Sequence, residues 1–218
     1  MNMTLTLELL LNTFEKYNID IWPMQIFAYL LGIGALFFAI KRTQNSNRIV
    51  AGILSFLWLW TAFGFFFLYF GPVYSPAYAF GGLFIIQGVL FLVSTIKPKI
   101  SFGFRGGVYS IVGFLFIAYA MVGYPVVGYF LDHTYPQSPP FGLTPCPATI
   151  FTFGLLLLTD KKVPKLLLVI PLLWALGGIM PVSVGILEDI GLIISGVVGT
   201  ALILYRDRAA YSTSLTRR

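Results

Sequence analysis

Apolar residues in this chain come in long, nearly unbroken runs, separated by short connections rich in Lys, Arg, Pro and Gly. Seven runs stand out: Ile21 to Ile40, Ile49 to Phe70, Ala77 to Ile96, Gly107 to Leu131, Pro147 to Thr159, Pro164 to Met180 and Ser183 to Tyr205. A hydrocarbon layer about 30 Å thick takes ~20 helical residues to cross, and the runs meet or approach that length. Unpaired backbone groups are costly in hydrocarbon, so a chain without barrel-type alternation must meet lipid as helices. The pattern predicts an all-α integral membrane bundle of seven transmembrane helices over residues 20–206. Residues 1–19 read as an outer interfacial segment, within which Leu5 to Phe14 mixes apolar and polar positions as a surface-lying amphipathic helix does. Residues 207–218 read as a tail, with a short disordered stretch after Arg208.

Composition agrees with a lipid setting. The 218 residues are 58% hydrophobic and 10% charged, against roughly 25% charged in soluble domains. The net charge of +6 matters through its placement. Lys41, Arg42, Arg48, Lys97, Lys99, Arg105, Lys161, Lys162, Lys165, Arg206, Arg208, Arg217 and Arg218 fall in alternate connections, and only Lys16 of the 14 basic residues falls on the other side. Basic residues mark the cytoplasmic face, so the N-terminus is predicted outside, the C-terminus in the cytoplasm and the number of spans odd. Charge placed this way is topological and argues against a nucleic-acid partner. The segment before the first span carries Glu8, Glu15 and Asp20 against Lys16, which predicts no cleavable signal peptide.

Glu188 and Asp189 are the unusual residues of the apolar runs. Ionisable groups within a span cost roughly 2.5–3.5 kcal/mol at the centre and face protein or water. Glu188 shares a helical face with Gly191, Ser195 and Gly199, a small-residue stripe that admits a neighbouring helix, while Asp189 is turned about 100° away. The plain alternative is that the pair caps the last helix and binds water. The connection from Asp132 to Pro147 holds the only His and the only Cys of the chain, together with five prolines and Gly142. Prolines preset extended or turn backbone, so this is a stiff loop, predicted to dip inward and cover the bundle mouth as a lid. His133 and Cys146 are candidate metal ligands on the side where Glu188 and Asp189 lie. No paired metal-ligand spacing, haem-attachment sequence, phosphate-binding loop or nucleophile elbow accompanies them, so no cofactor is named by a motif. Gln87, Trp58 and Trp174 are candidates for lining a solute cavity; otherwise they join Gln25, Trp60, Thr61, Thr149 and Thr152 as interhelical hydrogen-bonding groups. Trp22, Tyr69, Tyr74, Tyr78, Tyr124 and Tyr129 read as an interfacial belt, and Pro125 and Pro171 as helix kinks.

The stretch from Tyr135 to Gly154, with Ile21-Trp22-Pro23 near the start and Leu187-Glu188-Asp189 near the end, resembles a family of prokaryotic multi-pass membrane proteins catalogued only as a domain of unknown function. The resemblance covers nearly the whole chain, implies a place in the prokaryotic cytoplasmic (plasma) membrane, and carries no activity. The residues themselves point to binding or transport of a small solute or ion through an outward-facing cavity, charged by Glu188 and Asp189, rather than to an enzyme. Two alternatives stand beside this: a membrane enzyme or redox or metal protein using Cys146 with His133, and a non-catalytic, oligomeric or accessory subunit of a membrane complex. Lipid is the partner common to all three.

Overall fold

The computed structural model describes residues 4–98, 100–104 and 106–215, with residues 210–215 as backbone alone. Lys99, Arg105, Arg217 and Arg218, part of the predicted cytoplasmic charge, lie outside the described residues. Among the described residues the chain is 75% helix without strands, and a single isolated bridge joins Phe102 to Thr159.

The first helix, α1 (Leu7–Asp20), starts at Thr6, whose hydroxyl accepts the Leu9 N–H at 3.2 Å as an N-cap. It buries Leu10, Thr13, Phe14, Tyr17 and Asn18, the apolar stripe of an amphipathic helix. It is longer than the surface helix expected from Leu5 to Phe14, and its stripe packs on the bundle. After a corner at residues 21–23, α2 (Met24–Ile40) leaves at 89° to α1. Among the described residues, five helices are long and apolar enough to cross a membrane: α3 (Ser46–Phe70), α4 (Ala77–Ile96), α5 (Gly107–Phe130), α7 (Leu166–Val184) and the span Leu187–Ala209; the bent α1–α2 pair raises the number to six. Exposed Leu, Ile, Val and Phe side chains along these helices match a lipid-facing surface.

Between α5 and α7 lies α6 (Pro145–Leu157), with all 13 of its residues buried. At about 1.5 Å per residue it spans roughly 20 Å, too little to cross ~30 Å of hydrocarbon by itself. The run Pro147 to Thr159 is therefore a shorter helix than the long ones, and it is apolar all round because it is the hub against which α5, α7 and the last helix pack. The boundary expected at Pro181 and Val182 moves. Pro181 sits in the first turn of the short helix Ile179–Val184, where a missing N–H costs nothing, and the chain breaks instead at Gly185, with φ of 120°. A single 3-10 turn, Leu187–Asp189, then leads into α8 (Ile190–Leu215). Helix α8 continues past Arg208, where a disordered stretch was expected, through the helix-forming pair Ala209 and Ala210.

Both predicted kink prolines are accommodated the same way. Proline cannot donate to the carbonyl four residues back. For Pro125 that carbonyl belongs to Met121, and Tyr29 on α2 donates its hydroxyl to it at 2.8 Å. For Pro171 it belongs to Leu167, and Gln87 on α4 donates its amide at 3.3 Å. In α3 the stretch Thr61–Phe70 is π-helix, whose i→i+5 bonding brings Phe65 and Phe70 onto one face, their rings stacked at 5.5 Å.

Candidate functional site

Glu188 and Asp189 occupy the 3-10 turn ahead of α8, where the unsatisfied N–H groups of a helix start favour negative charge. Both are buried, at 0% and 1% exposure. Each carboxylate is held by a different set of protein groups. His133 brings Nδ1 to 3.0 Å from Glu188 Oε1 and 3.3 Å from Oε2. Gly128 lies beside this contact, where a Cβ would sit 3.4 Å from both Glu188 Oε1 and the His133 carbonyl. Asp189 accepts from the Tyr124 hydroxyl at 2.6 Å on Oδ1 and from the Cys146 thiol at 3.2 Å on Oδ2. Tyr119 donates its hydroxyl to the Glu188 carbonyl at 2.7 Å, with its ring against Gly191, whose added Cβ would meet Cε1 at 2.1 Å. The small-residue stripe thus admits neighbouring helices as expected, with Gly199 facing the Phe153 ring.

Two cavities flank this pair. The first, about 160 Å³, is walled by aromatic and aliphatic side chains: Leu10 and Phe14 of α1, Phe65, Phe66 and Phe70 of the π stretch, Phe80 and Phe84 of α4, and Leu173 and Trp174 of α7. Tyr124, Cys146 and Asp189 form its polar end. The Trp174 Nε1 is buried without a hydrogen-bond partner. The second cavity, about 360 Å³, lies between the α1–α2 corner and the proline-rich loop and is lined by Asn18, Trp22, Gln25, Tyr29, Tyr129, His133, Tyr135 and Phe141, among others. His133 therefore faces one cavity and Asp189 the other, with Glu188 bonded to His133 and next to Asp189 in the chain.

The loop is fixed in place through α1. Asn18 donates to the carbonyls of Pro136 and Ser138, both at 2.7 Å, Gln137 donates to Glu15 at 2.8 Å, and Tyr17 donates to the Leu143 carbonyl at 2.8 Å. Loop and α1 form one cover, α1 lying over the first cavity and the loop bordering the second.

Of the predicted cavity residues, Asp189 and Trp174 line the first cavity, and Glu188 sits behind Asp189. Gln87 is committed to the Leu167 carbonyl. Trp58 donates to the Thr152 hydroxyl at 2.9 Å and stacks on Phe84 at 4.3 Å. Neither Gln87 nor Trp58 is on the wall of either cavity. Cys146 and His133 bond to different carboxylates, and among the described residues no three His, Cys, Asp or Glu side chains gather as a metal ion requires. Tyr124 and Tyr74 depart from the interfacial belt: Tyr124 is buried on Asp189, and Tyr74 is buried on the first cavity. The signal for Tyr124 was its place beside Pro125 inside an apolar run, where a tyrosine hydroxyl needs a buried partner. The signal for the cover was the spacing of Leu10, Phe14 and Tyr17.

No curated protein and no solved structure matches the chain. A family model does, over residues 7–214, which includes every residue of the site, and its description is a family of unknown function, DUF6064. The chain therefore belongs to the family of unknown function DUF6064.

Proposed function

We propose that the protein binds a small solute in the aromatic cavity beneath α1 and passes it across the membrane, with Asp189 as the polar contact and Glu188 held behind it by His133. The observation that carries this is the cavity itself: about 160 Å³, largely apolar, with a buried carboxylate, Asp189, on its wall. Ligand sites have this composition, many apolar walls and few convergent polar groups. An apolar cavity of about 150 Å³ is large enough to hold benzene, which sets the solute at about that size.

The reading places α1 and the proline-rich loop outside and the Arg-rich end of α8 in the cytoplasm of a prokaryotic cell, with seven passes in all. Support for the seventh comes from α6. Its C-terminal end meets Arg42 and Arg206 through Asp160 and Thr159, so it reaches the basic side although it begins below the opposite surface. Leu5, Tyr74, Met180 and Pro181, at the cavity's far end, then belong to the outer side, and movement of α1 opens it. The test is calorimetric titration of benzyl alcohol into the protein in lipid nanodiscs, with empty nanodiscs as the reference. Saturable one-to-one binding is expected, and it should be lost in Leu173→Trp, which fills the cavity. Partition identical to that of empty discs would overturn the reading.

A further inference from the structure

Among the described residues, one basic side chain meets the two acidic ones beside the cavity. Two carboxylates are buried side by side in the chain, and the one base that meets them, His133, is taken by Glu188. Asp189 has only neutral donors, the Tyr124 hydroxyl and the Cys146 thiol. The other ion pairs found among the described residues, Arg42 with Asp160 and Arg206 with Asp207, lie elsewhere in the chain. A buried carboxylate without a counter-charge is costly, and a cation arriving beside it removes that cost. The aromatic walls favour the same guest. Phe66, Phe70, Phe80, Phe84 and Trp174 surround the space, and the negative faces of such rings attract cations within about 6 Å.

We infer that the solute is a small hydrophobic ammonium ion, a protonated primary or secondary amine of about six to nine heavy atoms by comparison with benzene in a cavity of similar volume. Its ammonium group donates to Asp189 and its hydrocarbon body lies among the rings. Tyr124 and Cys146 keep Asp189 oriented by holding one bond to each oxygen, which leaves lone pairs for the ligand. The inference rests on the first cavity being a binding site, as proposed above.

Three probes of one shape test it in nanodiscs: benzylammonium, benzyl alcohol and benzoate. Benzylammonium is expected to bind at least about ten-fold more tightly than benzyl alcohol, a difference of ~1.4 kcal/mol, and benzoate not at all. Asp189→Asn should abolish the preference for the ammonium ion, bringing benzylammonium and benzyl alcohol to equal affinity. Equal binding of ammonium ion and alcohol by the unaltered protein overturns the inference, whether or not the variant folds, and so does a preference that survives in Asp189→Asn. Binding of benzyl alcohol without preference leaves the solute cavity standing and removes only the amine. Failure of all three probes to bind removes both.

Discussion

The two ends of the bundle handle buried charge in opposite ways. At the basic end Asp160 and Asp207 each have an arginine partner. Arg42 pairs with Asp160, Arg206 reaches Asp207 at 3.0 Å and the carbonyls of Thr159 and Leu157 at 3.0 and 3.3 Å, and Asp207 accepts the Val163 N–H at 2.8 Å. The cation sits where the last carbonyls of α6 are unsatisfied, so it caps that helix. Neither cavity reaches this end. At the acidic end two carboxylates share one base, and a cavity lies on each side. One end is finished as a knot that ties α6 to its neighbours; the other sets two acidic side chains beside open space. That difference separates structural charge from charge available to a ligand.

The largest effect should come from removing the one base at the acidic end. His133→Leu leaves Glu188 buried without a counter-charge and is expected to cost about 3–5 kcal/mol, measured by reversible unfolding in bicelles. Adding Glu188→Gln should restore most of the loss, because the neutral amide needs no counter-ion. At the basic end Arg206→Met removes bonds to two carbonyls and to Asp207, a loss of about 1–3 kcal/mol. If Arg206→Met proves as damaging as His133→Leu, the contrast between the two ends fails. Next, Gly191→Ala puts a methyl group into the Tyr119 ring that holds the Glu188 carbonyl. The ring must shift, at about 1–3 kcal/mol, and the same change at Gly82, where a Cβ meets nothing within 4 Å, should be silent by the same measurement.

Much of the basic end was legible in the sequence because topology is written in residue types: Lys and Arg at the ends of apolar runs identify a side without any knowledge of packing. The helices α3, α4 and α5 followed from run length for the same reason. The acidic pair was legible as an anomaly, and its split, Glu188 one way and Asp189 the other, followed from helical spacing. The identity of each partner was not, because Tyr124 reaches Asp189 across 65 residues and His133 reaches Glu188 across 55, contacts that no local pattern encodes. Length alone is ambiguous at α6: an apolar run of 13 residues is what a short span and a fully enclosed hub both require, and the surrounding helices show how fully it is enclosed. Gln87 and Trp58 misled for a related reason. A polar group in an apolar run announces a partner, and the partner can equally be a carbonyl released by a proline, as Leu167 is.

Those proline-released carbonyls give the smallest effect and a scale for the two ends, since they show what an uncharged polar contact contributes in this bundle. Tyr29→Phe removes the hydroxyl that donates to Met121, and interhelical hydrogen bonds of this kind average about 0.6 kcal/mol. The size alone would not distinguish a hydrogen bond from slightly altered packing, because the hydroxyl also lines the second cavity. A double-mutant cycle does. In Pro125→Ala the backbone N–H at position 125 returns and can satisfy the Met121 carbonyl from within α5, so Tyr29 no longer has an unsatisfied group to serve. Tyr29→Phe should then be nearly neutral in the Pro125→Ala background while remaining measurable in the native sequence, read as the difference between two unfolding midpoints at each step. A cost that is the same in both backgrounds would mean that Tyr29 stabilises the corner through its ring, which touches Phe141 at 5.0 Å between centroids, and that the freed carbonyl is not what holds α2 to α5.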